Sequence, residues 1–187
     1  MEIDSSIKIR VIEGVYDPAN DSYLLIEIID AKGCKNALDM GCGTGIVALH
    51  LAKHGCNVTA CDVNEKAVEN TLLNARINNL RLKVIKSNLF ESIYGKFDII
   101  AFNPPYLPTR GEDITWDGGE GGVEVIDKFL SQAYKYLSDR GKIYMVVSSL
   151  TDMDPIIEKY REEYTFSKVG ERSFFFEKIY GYKIEIL

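Results

Sequence analysis

Four consecutive residues, Asn103, Pro104, Pro105 and Tyr106, carry the most directed chemistry in this sequence. They follow the apolar run 97–102, which reads as a buried strand. They therefore sit at the C-terminal edge of a parallel sheet, where α/β proteins bind ligands. The asparagine amide offers a carbonyl acceptor. The prolines fix φ and lack N–H groups, so the local backbone presents mainly carbonyls. Tyr106 adds a flat face for stacking. Such a set holds a planar NH2 group by its two hydrogens and leaves the nitrogen facing an electrophile.

A second cluster lies upstream. Ala37-Leu38-Asp39-Met40-Gly41-Cys42-Gly43-Thr44-Gly45 is a short apolar strand entering a glycine-rich turn. Glycines allow backbone to approach a ligand closely. A dinucleotide fingerprint places its third glycine three residues after the second. Here Ile46 holds that place, Gly45 comes one earlier, and Asp39 precedes the first glycine by two. The next apolar run, Val58-Thr59-Ala60-Cys61, ends in Asp62, an acid placed to hold ribose hydroxyls. An alternative role for Asp62 is the N-cap of the following helix.

In this order and spacing, the motifs resemble those of class I S-adenosylmethionine-dependent methyltransferases. The Asn-Pro-Pro-Tyr form is similar to that of amino-methyltransferases. The segment Val15-Tyr16-Asp17-Pro18-Ala19-Asn20-Asp21-Ser22 resembles the opening of the HemK family in its short archaeal and eukaryotic branch. The resemblance runs from about Gly14 to Leu187. It implies an α/β, Rossmann-like fold: a mostly parallel seven-stranded sheet, helices on both faces, and an antiparallel C-terminal strand. It further implies S-adenosyl-L-methionine as cofactor and methylation of the glutamine side chain in the Gly-Gly-Gln motif of a translation release factor.

Carried over by motif, Asn103, Pro104, Pro105 and Tyr106 are the catalytic set, with Asn103 also a cofactor-binding residue. Asp39 lies near the methionine end of the cofactor, above the Gly41-Cys42-Gly43 backbone. Asp62 and Val63 hold ribose and adenine. Asn88, with Leu89, stands where the family usually has Asp before an apolar residue. Its carbonyl still accepts from the adenine amino group, but the ionic component is lost. Tyr16, Asp21 and Ser22 match the segment over the cofactor; packing for Tyr16 and a helix cap for Asp21 are the alternatives.

The elements that must position these residues alternate. Asp21 or Ser22 caps a helix through Ile29. Strands follow at 36–40, 57–62, 82–86, 97–102 and 141–148, with helices at 45–54, 64–78, 122–137 and 154–163. Such alternation argues for a parallel sheet covered on both faces. Phe166 to Leu187 holds two apolar runs on either side of Gly181 and reads as two further, antiparallel strands. The 187 residues, 46% apolar, suit one domain spanning 1–187.

No apolar run approaches the roughly 18 residues of a membrane span. No secretory signal or metal-ligand spacing is visible, so a cytoplasmic protein without a metal is expected. The net charge of −6 disfavours nonspecific grip on nucleic acid. From Leu107 to Glu124, one arginine faces five acids, an acidic rim suited to a basic protein partner. The long stretch Leu107–Gly122, with Trp116, reads as a substrate lid.

Strand 82–86 is expected at a sheet edge, with Lys83 and Lys86 blunting it. The resemblance adds a small zinc-finger activator docking near Leu82–Lys86. A nucleic-acid adenine or guanine amino-methyltransferase is the alternative function, because an exocyclic amine is also planar. A noncatalytic cofactor-binding module is a third reading, disfavoured by the intact tetrapeptide.

Overall fold

A computed structural model describes residues 1–105 and 123–187. Its elements, in chain order, are α1 (Asn20–Ile28), β1 (Asn36–Met40), α2 (Ile46–Lys53), β2 (Asn57–Asp62), α3 (Glu65–Ile77) and β3 (Lys83–Lys86). β4 (Phe97–Phe102), α4 (Glu124–Ala133), β5 (Leu137–Ser148), α5 (Asp154–Tyr160), β6 (Tyr164–Ser173) and β7 (Lys178–Ile186) complete the fold. The strands form one sheet in the order β3-β2-β1-β4-β5-β7-β6. The first five are parallel; β7 runs antiparallel to β5, and β6 antiparallel to β7. The chain winds outward from β1 to β3 and then returns to β4 beside β1. That reversal opens a crevice beyond the C-terminal ends of β1 and β4, the place where such sheets bind ligands.

The sheet is stabilised by burial on both faces. Side chains alternate along a strand. Leu38, Met40, Ile100 and Phe102 join Phe90, Phe129 and Leu130 on one side. Ala37, Ala60, Ile99 and Ala101 join Leu24, Leu25, Val47 and Leu51 on the other. Phe129 of α4 packs on Phe102 with ring centroids 4.5 Å apart, which ties that helix to the end of β4. Each fully buried side chain of this size contributes about 1.5–3 kcal/mol.

The spans 36–40, 57–62 and 97–102 form as the pattern predicts, and β3 lies at a sheet edge. Three readings need correction. Helix α1 begins at Asn20 after Ala19, which makes no side-chain capping bond. Asp21 is thus inside the first turn, and its carboxylate is engaged elsewhere. Strand β5 starts at Leu137 rather than 141, because Leu137 already pairs with Phe97 and Ser138-Asp139-Arg140-Gly141 forms an irregularity before Lys142 pairs with Ile99. The C-terminal hairpin turns at residues 174–177, closed by the Phe174 N–H donating to the Glu177 carbonyl. Gly181 lies within β7, where an added Cβ would meet Ile28 at 2.8 Å.

A feature absent from the sequence pattern lies on α3. Asn70, Asn74 and Asn78 recur every four residues and form a ladder along one face. Their carbonyls accept the Ile12, Arg10 and Lys8 N–H groups at 3.0, 2.8 and 2.8 Å. Their amides return bonds to the Arg10 and Lys8 carbonyls. The N-terminal segment is thereby laid across the helix as a strap. Asn64 continues the row by donating to the Gly14 carbonyl, and buried His50 accepts from the Asp4 N–H at 3.1 Å. Burial lowers the His50 pKa, which suits this acceptor role of Nε2.

Candidate active site

The crevice is a cavity of about 630 Å³. Its walls come from the turn after β1, the ends of β2 and β4, the segment after β3, the N-terminal part of α1 and one face of α4.

The glycine turn forms the floor. Gly45 takes φ of +83° at the start of α2, and an added Cβ there would lie 2.8 Å from Thr71. This packing explains why a glycine stands here. The amides of the turn are consumed internally. Those of Gly41 and Cys42 donate to the Cys61 carbonyl at 2.8 and 2.9 Å, and that of Gly45 donates to the Cys42 carbonyl at 2.7 Å. The Gly43 N–H donates to Asp62 Oδ2 at 3.0 Å. Asp39 Oδ2 accepts the Ala48 N–H from the first turn of α2 at 3.0 Å. A carboxylate of the protein thus meets the helix terminus that binds phosphate in dinucleotide proteins.

The two acids are buried in this floor. Burial pushes Asp39 up to about 7, and the nearby Asp62 charge adds to the effect, against the Ala48 N–H. Burial also raises Asp62, opposed by the N–H groups of Gly43, Asn64 and Val63. Asp62 Oδ1 accepts the Asn64 N–H at 2.9 Å, while Asn64 itself caps α3. The capping alternative for Asp62 is therefore corrected. A floor with buried carboxylates and its glycine amides already bonded favours a cation over a phosphate.

The opposite wall holds a second carboxylate centre. Asp21 is buried and accepts from the Tyr16 hydroxyl at 3.0 and 3.1 Å and from the Ser22 N–H at 2.7 Å. Asn103, next after β4, donates from Nδ2 to Asp21 Oδ2 at 3.0 Å. Its Oδ1 is buried and accepts no hydrogen bond among the described residues. An orphaned buried acceptor costs about 1–3 kcal/mol, which is the signature of a group kept for a ligand. The following Pro104 and Pro105 also line the cavity.

Residues 13–172 match the methyltransferase small domain family. The chain belongs to this family. A relative in Methanocaldococcus jannaschii, named as a protein N5-glutamine methyltransferase, is 38% identical over 83% of each chain. Mouse methyltransferase HEMK2 is 34% identical over 71% of each. Among known structures, Mtq2 of E. cuniculi, in its Trm112 complex responsible for methylation of the eRF1 termination factor, superposes with a TM-score of 0.76. It is 26% identical, and the match covers 92% of this chain and 99% of that one. Weaker kinship links the chain to bacterial ribosomal RNA small subunit methyltransferase C, 28% identical in Klebsiella pneumoniae over 82% of this chain and 44% of that protein. Class I methyltransferases use S-adenosylmethionine.

In this methyltransferase, Tyr16, Asp21, Ser22, Asp39, Gly41, Cys42, Gly43, Asp62, Val63, Asn88, Leu89, Asn103, Pro104 and Pro105 all line one cavity. Tyr106, Trp116 and the proposed lid lie outside the described residues. Asn88 Nδ2 donates to Glu91 at 3.0 Å, which leaves its carbonyl as the acceptor. Leu89 has φ of +48°, held by the Ser87 hydroxyl donating to its carbonyl at 2.8 Å. Sequence reasoning missed Ser87, and also Lys128 and Gln132 of α4, which line the other wall. Lys128 and Gln132 are four apart on a helix, a spacing that puts both on one face.

Proposed function

We propose that residues 1–187 act as one catalytic domain that transfers a methyl group to the side-chain amide nitrogen of a glutamine in the Gly-Gly-Gln motif of a translation release factor. The observation that carries this reading is Asn103 Oδ1 at the edge of the cavity, which has no partner among the described residues. The glutamine specificity follows the relatives' names.

The acidic, donor-poor floor fits S-adenosylmethionine. Asp39 faces the cationic methionine end, Asp62 takes the ribose hydroxyls, Val63 offers an apolar patch to adenine, and the Asn88 carbonyl accepts the adenine amino group. When bound, the cofactor supplies an electrophilic methyl group on a sulfonium sulfur.

The protein's part is to present nitrogen. Asn103 Oδ1 accepts one amide hydrogen of the substrate and the Pro104 carbonyl accepts the other. Both raise electron density on a nitrogen whose lone pair is otherwise delocalised, and both stabilise the charge that grows there. Alignment supplies much of the remaining acceleration, about 7–11 kcal/mol for well-placed groups. Burial and the Asp21 carboxylate push the Tyr16 phenol up, so it stays a hydrogen donor to Asp21 and is no base. The surplus proton leaves the nitrogen to solvent after transfer.

Protein, cofactor and an intact release factor, with and without a small activator subunit, test this reading by tandem mass spectrometry. One methyl on the Gly-Gly-Gln glutamine is expected. Cofactor binding without that methyl, together with methylation of a ribosomal RNA guanine, would transfer the reading to nucleic-acid amines. The edge of β3, where Lys83 and Lys86 are exposed, is the proposed activator site, by strand addition. No helix among the described residues is long and apolar enough to cross a membrane. A cytoplasmic location is proposed from the translation-related substrate.

A protein substrate also needs a contact surface. Ile179 of β7 pairs with Ser148 at the end of β5, so the β6–β7 turn overhangs the same sheet edge as Asn103. At its tip Phe175 and Phe176 are 92% and 90% exposed. Aromatic anchors of this kind dominate protein contacts. Replacing both with alanine should raise KM for the release factor roughly tenfold, with cofactor affinity and melting temperature unchanged. Steady-state kinetics and a thermal melt read these.

A further inference from the structure

We propose that Asp21 is a positioning residue whose carboxylate fixes which end of the Asn103 amide meets the substrate. This rests on the catalytic role given to Asn103 above, and it moves Asp21 from cofactor holder to orienting group.

An asparagine amide has an acceptor end and a donor end of nearly the same shape. Only the acceptor end can hold a substrate N–H, so the ring of partners around the amide must break the symmetry. Asp21 does so. An ionised carboxylate only accepts, and its Oδ2 lies 3.0 Å from Asn103 Nδ2. The reversed amide would set Asn103 Oδ1 against that oxygen, acceptor against acceptor. Asp21 is itself held: its Oδ1 takes the Ser22 N–H at 2.7 Å and the Tyr16 hydroxyl at 3.0 Å. The carboxylate is also buried, so its contacts act at low dielectric. It lies 82 residues from Asn103 in the chain, on the first turn of α1.

A reciprocal exchange tests this. In Asp21→Asn the new amide keeps its oxygen toward Ser22 and Tyr16 and turns NH2 toward residue 103. Two donors then face each other, and Asn103 must present its NH2 end to the substrate. In Asn103→Asp two carboxylates oppose each other. In the double variant the amide introduced at position 21 donates to one oxygen of the carboxylate introduced at position 103 and leaves the other oxygen as acceptor. Each single variant is expected to lose about 30–100-fold in kcat. The double variant is expected to recover at least tenfold over the better single, with cofactor Kd within threefold throughout.

A double variant no better than either single would overturn the proposal. So would a cofactor Kd that rises in proportion as kcat falls in Asp21→Asn, since that marks a cofactor ligand. A readout independent of turnover comes from the side-chain amide resonance of Asn103 in 15N-labelled protein. Slow hydrogen exchange is expected in the wild type and fast exchange in Asp21→Asn. Equal, fast exchange in both would overturn the orienting role even if the release factor proved to be the wrong substrate.

Discussion

Asn103→Ala is expected to reduce methyl transfer by about 10²–10³-fold while the protein still binds cofactor. The substitution removes the Oδ1 acceptor and leaves the Pro104 carbonyl as the sole fixed partner for the substrate's amide hydrogens. Its effect belongs to kcat, because the contact strengthens as nitrogen acquires positive charge. Cofactor affinity rests on the floor around Asp39 and Asp62, which the substitution does not touch, so Kd should change less than about threefold. Asp21 keeps the Tyr16 hydroxyl and Ser22 N–H, so the loss of one buried partner should cost about 1–3 kcal/mol of stability. Single-turnover kinetics with a thermal melt and a binding titration separate these effects. Wild-type turnover in the variant would remove Asn103 from the chemistry.

The second large effect is in stability. Asp39→Asn is expected to stabilise the cofactor-free protein at pH 8 and to change little at pH 3. The folded pKa of Asp39 is about 7 against an ordinary 3.8, so the folded state binds its proton more tightly. The stability that protonation confers is complete below about pH 4 and is lost as pH rises through 7. The displacement is worth up to roughly 4 kcal/mol. Asparagine is neutral at every pH and keeps the acceptor for the Ala48 N–H. At pH 8 the melting temperature of the variant should exceed the wild type by about 5–15 °C, using 2–4 °C per kcal/mol for this size. His50 works in the opposite sense. Its lowered pKa removes stability below pH 6.5 in both proteins, so it cancels in the difference between them. The variant should also bind cofactor more weakly, since the carboxylate that faces the cationic end is gone. A variant that melts below the wild type at pH 8 would show that Asp39 is not held at a cost.

Much of this was readable from residue order. Asp39 is the last residue but one of β1, Asp62 ends β2 and Asn103 follows β4, and all three line the cavity at the reversal between β1 and β4. What escaped was decided by partners remote in the chain. Asn70, Asn74 and Asn78 drew no notice in the sequence, because the strap they bond lies about sixty residues or more away in the chain. Their four-residue spacing was the available signal. Phe174-Phe175-Phe176 reads as strand interior, because apolar character is the same for a side chain in a core and one awaiting a partner. Gly181 reads as a turn, because nothing in the sequence reveals that Ile28 needs its space. The role of Asp21 escaped because a first-turn acid has a local explanation at hand, the helix cap.

The asparagine ladder gives the molecule a seam. The strap obtains its backbone bonds from the side chains of one helix, without a neighbouring strand, so it can part from the body while the sheet stays whole. Segments fastened in this way open at a lower free energy than the core. The seam runs from Lys8 to Gly14 and ends just before Tyr16 and Asp21. Its Gly14 end adjoins Val15, a residue of the cavity wall. The amides of Lys8, Arg10 and Ile12 should therefore exchange hydrogen sooner than those of the central strands, although each is fully bonded.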